Sequence, residues 1–139
     1  MPNLETKILT ASGQEPAELV LKNARFLNVF TGEFDEGDIA IQDGEIVGIG
    51  ESYMGYKEID LTGKTIVPGF IDGHRHIESN LTPEIDRAIL PRGTTTLVWD
   101  PHEMANVMGT SAIAHALKIA EASPMDIFVN LPSCAPATN

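Results

Sequence analysis

The chain has 139 residues, 42% of them hydrophobic and 21% charged, which suits one or two packed domains and excludes a disordered acidic tail. Lys and Arg number 9 against 20 Asp and Glu, a formal charge of −11 with no basic run to face nucleic acid. The single cysteine, Cys134, excludes an internal disulfide and a four-cysteine zinc module, and it fits a reducing compartment.

Residues 1–16 are polar and carry Gly13 and Pro16, so they read as an N-terminal arm. They show neither the basic nor the apolar region of a signal peptide. No apolar stretch approaches the ~18 residues of a membrane span. The expectation is a cytoplasmic protein without membrane association.

Over residues 17–66, short β runs alternate with turn residues. Leu19, Val20 and Leu21, then Phe26, Leu27, Val29 and Phe30, precede Thr31-Gly32 and Glu36-Gly37. Ile39 and Ile41 alternate with polar neighbours up to Asp43-Gly44, after which Ile46, Val47 and Ile49 follow. An Asp-Gly pair between alternating apolar runs predicts a hairpin with a type I′ turn, which needs positive φ at both central positions. With Ile59, Leu61, Ile66 and Val67 as further strand residues, the spacing predicts a small β-sandwich or barrel-like module.

At Pro68-Gly69 the pattern changes. Phe70-Ile71 leads directly into Asp72, His74 and His76. Thr82-Pro83-Glu84 predicts a helix start, with Ile85, Ala88 and Ile89 on one face and an end near Pro91. Thr94 to Trp99 is a strand-like run that stops at Asp100-Pro101-His102-Glu103. A longer helix is expected from about Gly109 to Ala122, with Ile113, Ala116, Leu117 and Ala120 on one side, and then a third strand at Ile127–Val129. Strands alternating with helices predict a parallel α/β sheet over residues 67–139.

Polar residues follow the C-terminal end of each strand: His74 and His76, then Asp100 to Glu103, then Asn130 to Cys134. Parallel α/β folds build their sites on that rim. Residues i and i+2 of a strand share a side, so the two imidazoles can face one cavity and hold zinc, iron or manganese. Histidines that merely pack or lie on the surface are the plain alternative. Asp100-Pro101 equally suits a strand-to-helix turn. Asp72 reads as an acceptor for loop backbone, Glu78 as either an orienting carboxylate or plain surface, and His115 as helix surface. Cys134 reads as a pocket-wall residue rather than a nucleophile, and Trp99 as packing.

The run from Val67 to His76, VPGFIDGHRH, resembles the signature of the amidohydrolase superfamily. Ile77-Glu78-Ser79-Asn80, Gly93-Thr94-Thr95-Thr96, Asp100-Pro101-His102-Glu103 with Ala105-Asn106-Val107, and Leu131-Pro132-Ser133-Cys134 narrow the resemblance to its adenine-deaminating branch. Arg75 departs from the aliphatic residue usual between the two histidines. The resemblance implies a small β-sandwich beside the first βα units of a (β/α)8 TIM-like barrel, with His74 and His76 as metal ligands. It implies catalytic work for Asp100, His102 and Glu103, as substrate contact, proton carrier or support for a second ion. The expected cofactor is a divalent metal, manganese or iron ahead of zinc, and the expected reaction is hydrolytic deamination of adenine to hypoxanthine and ammonia. The implied partner is that small molecule, with no nucleic acid or membrane, and a homo-oligomer at full length.

A (β/α)8 barrel takes about 250 residues, so the span after Ile66 holds only its first strands. The chain is therefore expected to be an N-terminal portion that is inactive alone. Two alternatives stand beside this: an amidohydrolase acting on a cyclic amide or N-acyl substrate, and a non-catalytic scaffold of the same fold.

Overall fold

The computed structural model describes residues 4–77 and 84–132. It divides into two units at Pro68/Gly69.

In the first unit, helix α1 (Leu4–Ala11) precedes strands β1 (Ala17–Leu27), β2 (Phe34–Gln42), β3 (Glu45–Gly50), β4 (Gly55–Asp60) and β5 (Thr65–Ile66). The sheet order is β3-β2-β1-β4, with β5 also pairing β1. Strand β1 is central, antiparallel to β2 and parallel to β4 and β5. Residues 4–11, inside the stretch read as an arm, are helical, and the Tyr53 hydroxyl donates to the Ala11 carbonyl at 2.9 Å.

The hairpin at Asp43-Gly44 forms as expected, with φ of +52° and +74° joining β2 to β3. A β-bulge in β1, between Leu21 and Ala24, was not foreseen. The extra residue lets Leu21, Ala24 and Phe26 join one apolar cluster with Ile39, while Val20 packs with Ala17 and Ala40 in another. Asn23, at φ +54°, occupies the bulge, and its backbone N–H donates to Asp38 Oδ1 at 3.1 Å.

In the second unit, strand β6 (Phe70–Arg75) is followed by α2 (Glu84–Ile89), a 3-10 turn and β7 (Thr94–Trp99). Helices α3 (His102–Met108) and α4 (Thr110–Ala122) and strand β8 (Asp126–Val129) complete the unit. The three strands are parallel in the order β6-β7-β8. These are the first βα units of the expected (β/α)8 architecture.

Ile77, Ile85, Leu97, Trp99, Ala116 and Met125 form the core, with Ile89, Leu90, Met104, Ile119, Ile127 and Val129 packed against it. Leu97 and Trp99 alternate into this core, so Trp99 is packing, as its sequence context implied. Two helix-face expectations need correction: Ala88 and Leu117 are exposed. On α4 the buried residues are Ala112 and Ala116, with Ile119 packing beside them, a stripe at i, i+4 and i+7 that leaves Leu117 one step round the helix. The helix start at Thr82-Pro83 lies outside the described residues.

Candidate metal centre

Strand β6 slips against β7 between the Asp72/Leu97 and Arg75/Trp99 pairs. The chain takes three steps there against two on β7, a bulge that re-aims the side chains beyond it. His74 lies within the bulge and His76 just past the end of β6, and their Nε2 atoms face each other at 3.1 Å with the rings inclined at 79°. Asp72 accepts the His74 backbone N–H at 3.3 Å and pairs with the spacer Arg75 at 3.4 Å. Its expected role as a backbone acceptor is what the structure shows.

Buried neighbours hold the rim in place. Trp99 and Pro101 are both fully buried on either side of Asp100, and Ile77 does the same beside His76. The Asp100 N–H donates to the Arg75 carbonyl at 2.9 Å, and the Asn130 N–H donates to the Trp99 carbonyl at 2.8 Å. The strand ladders thus continue past β6, β7 and β8 into the loops that carry the polar side chains.

Helix α3 begins at His102, so His102 and Glu103 stand in its first turn. His102 Nδ1 lies 3.2 Å from Asp100 Oδ2. His76 Nδ1 lies 3.0 Å from the Asp100 carbonyl and 3.1 Å from Glu103 Oε2. The other Glu103 oxygen is 3.7 Å from His102 Nε2, and the His76 and His102 rings meet edge-on with centroids 4.7 Å apart. All five predicted site residues, His74, His76, Asp100, His102 and Glu103, therefore occupy one cluster. His115 is exposed on α4, away in sequence from this rim, as expected of helix surface. Glu78 and Cys134 lie outside the described residues.

The donor set fits a borderline divalent cation. Ligand atoms of His74, His76 and Asp100 all lie within 4.8 Å of one another. Two nitrogens and a carboxylate oxygen are what zinc, iron or manganese takes. Asp100 Oδ1 is buried without a hydrogen-bond partner among the described residues. Leaving such an oxygen bare costs about 1–3 kcal/mol, which a cation beside it would offset. The contact between His76 Nδ1 and the Asp100 main-chain carbonyl had no sequence signal, since any residue supplies a carbonyl. The His76–Glu103 pairing was equally hidden, because 27 positions separate them.

Comparison with known proteins follows the same lines. The Amidohydrolase family matches residues 65–139. The adenine deaminase of Oceanobacillus iheyensis is 53% identical over 137 residues, covering 97% of this chain and 23% of that protein. Adenine deaminase 1 of Rhizobium meliloti is 54% identical over 138 residues, covering 98% of this chain and 24% of that protein. The chain thus spans about a quarter of the length of the curated relatives it matches. Among solved structures, the L-hydantoinase (dihydropyrimidinase) of Arthrobacter aurescens superposes with a TM-score of 0.65 at 23% identity, over 81% of this chain and 27% of that one. An N-acyl-D-glutamate deacylase of Bordetella bronchiseptica, complexed with zinc and a phosphonate inhibitor, gives 0.52 at 26% identity, over 61% of this chain and 19% of that one.

Proposed function

Because this chain belongs to the amidohydrolase family, we propose that it supplies the first metal-binding strand of an enzyme that hydrolyses adenine to hypoxanthine and ammonia. The observation that carries this is the facing pair of His74 and His76 Nε2 atoms at 3.1 Å, with a carboxylate oxygen of Asp100 within 4.8 Å of a ring nitrogen of each. Identity near 50% to adenine deaminases across nearly the whole chain supports the substrate. The cyclic-amide alternative has only the more distant structural likenesses behind it.

His74, His76 and Asp100 would hold the divalent ion, manganese or iron ahead of zinc. When bound, such an ion lowers the pKa of water and makes hydroxide available near neutral pH. Water supplies the oxygen that replaces the exocyclic nitrogen at C6, and ammonia leaves with the balancing protons. In this proposal His102 moves protons at Nε2, while Asp100 Oδ2 fixes the ring through Nδ1. Three protein ligands are the usual minimum for a catalytic site of the zinc type. In a protein of the relatives' length, later strands would add to the set. A cytoplasmic location belongs to the same proposal. Among the described residues, no helix is long and apolar enough to cross a membrane.

The test is a substrate panel on the full-length protein, loaded with manganese and offered adenine, a hydantoin, a dihydropyrimidine and an N-acyl amino acid. Ultraviolet loss of adenine with equimolar ammonia is expected. Turnover confined to the cyclic amides or the N-acyl compound would overturn the assignment.

A further inference from the structure

His76 has two ring nitrogens, and the structure assigns them different partners. Nε2 faces His74 Nε2, while Nδ1 stands 3.0 Å from a main-chain carbonyl and 3.1 Å from the Glu103 carboxylate. A carbonyl oxygen only accepts, and so does an ionised carboxylate. Nδ1 between two such acceptors must therefore carry the proton. In the neutral ring, Nε2 then keeps its lone pair, and it faces His74 Nε2 at 3.1 Å.

We propose that Glu103 is a positioning residue. Accepting the His76 Nδ1–H, it holds the ring in the one tautomer and orientation that present Nε2 to a cation. This rests on the proposed metal site and assigns the carboxylate a part that its sequence context left open. A carboxylate behind a metal-binding imidazole both fixes the ring and raises its basicity.

The competing role for Glu103 is that of a direct ligand, since His76, His102 and Glu103 also bring ligand atoms within 4.8 Å of one another. A protonated Nδ1 has no lone pair to offer there, and Nε2 is turned to His74. The hydrogen-bonding arrangement therefore favours orientation over ligation. The same carboxylate also reaches toward His102 Nε2, at 3.7 Å, so it ties the β6 rim to the first turn of α3. Its side chain is 52% exposed, so replacing it leaves the core intact.

The experiment uses the purified 139-residue chain with Glu103→Ala and Glu103→Gln variants, and it has two arms. In the metal-free arm, long-range 1H–15N correlation at mildly alkaline pH reads the tautomer of His76. The parent chain should show Nδ1–H, Glu103→Gln should retain it because an amide oxygen still accepts, and Glu103→Ala should gain a clear Nε2–H population. In the second arm, competition with a chromophoric chelator measures manganese and zinc binding. Glu103→Ala should weaken it about 10–100-fold with unchanged stoichiometry, and Glu103→Gln should recover part of the loss.

An Nδ1–H tautomer unaffected by Glu103→Ala would overturn the proposal. Loss of a whole metal equivalent in that variant would also overturn it, by making Glu103 a ligand. If neither the parent chain nor a protein of the relatives' length bound either metal, the proposed metal site would fail, while the tautomer arm would still decide whether Glu103 orients His76.

Discussion

Two aspartates, one in each unit, have opposite surroundings. Asp38, on β2, is almost fully buried and completely satisfied. Lys22 Nζ pairs with one oxygen, the Tyr53 N–H donates to that oxygen at 3.1 Å, and the Asn23 N–H donates to the other at 3.1 Å. Burial raises its pKa, but hydrogen bonds from Lys22, Tyr53 and Asn23, with the Lys22 charge, outweigh that and hold it below the ordinary value. Asp100, at the end of β7, has one oxygen on His102 and another buried without a hydrogen-bond partner among the described residues, and its carboxylate lies within 4.8 Å of ring nitrogens of His74 and His76. The described residues complete the first arrangement and leave one oxygen of the second unpartnered. That difference separates an acid that locks a β-bulge from one that the proposed metal site would use.

The comparison breaks most readily through the rim histidines. In a protein of the relatives' length, His74→Ala or His76→Ala should cut the proposed adenine deamination by on the order of 1,000-fold, because the transition-state stabilisation of an ion would be lost. Thermal unfolding should barely move, since both side chains are exposed. A large stability loss without an activity loss would place these residues among the structural ones. Leu97→Ala should do the reverse: this fully buried core residue should cost about 2–4 kcal/mol by urea denaturation. Residual activity per folded molecule should be near normal.

Asp38→Asn should cost about 2–3 kcal/mol, because Lys22 keeps its charge and loses its partner in a largely buried position. The pH dependence sharpens this expectation. Folding depresses the Asp38 pKa, so its stabilisation is complete above the ordinary value of 3.8 and is lost as pH falls through the lower folded value. Asp38→Asn should therefore flatten the acid limb of a stability profile measured by denaturation. A steep limb that survives unchanged would assign acid sensitivity to other carboxylates. The smallest effect is expected at the hairpin. Gly44→Ala, at φ +74°, should cost about 1 kcal/mol in the same assay.

Much of the fold was legible because its signals are local. The Asp43-Gly44 turn follows from the need for positive φ, and the strand–helix alternation after Pro68 follows from apolar period and punctuation. The bulge in β1 was not legible, since nothing in Lys22-Asn23 distinguishes an extra residue from a regular one until β2 supplies the register. Leu117 was misplaced for a related reason. Ala112, Ala116 and Ile119 and the Ala116–Leu117–Ala120 set are both plausible apolar stripes, and only the sheet beneath α4 selects between them. At the site, the clustering of His74, His76, Asp100, His102 and Glu103 was legible from their place at the ends of consecutive strands, although His74 sits in a bulge and His76 lies past the end of β6. Which atom meets which was not.

Chemistry and spacing along the chain, read alone, determined the residue types at the rim, the alternation of strands and helices after Pro68 and the expectation of a bound divalent ion. Hydrolysis came from the family resemblance, and helices α1 and α3 were not read. Only tertiary structure decided that His76 sends one nitrogen to Glu103 and the other to His74, and that an Asp100 oxygen is buried without a hydrogen-bond partner among the described residues. The physical reason is range: turns and periodicity act over a few residues, whereas a hydrogen bond across 27 positions exists only after β6 and β7 have paired and set the distance between their ends.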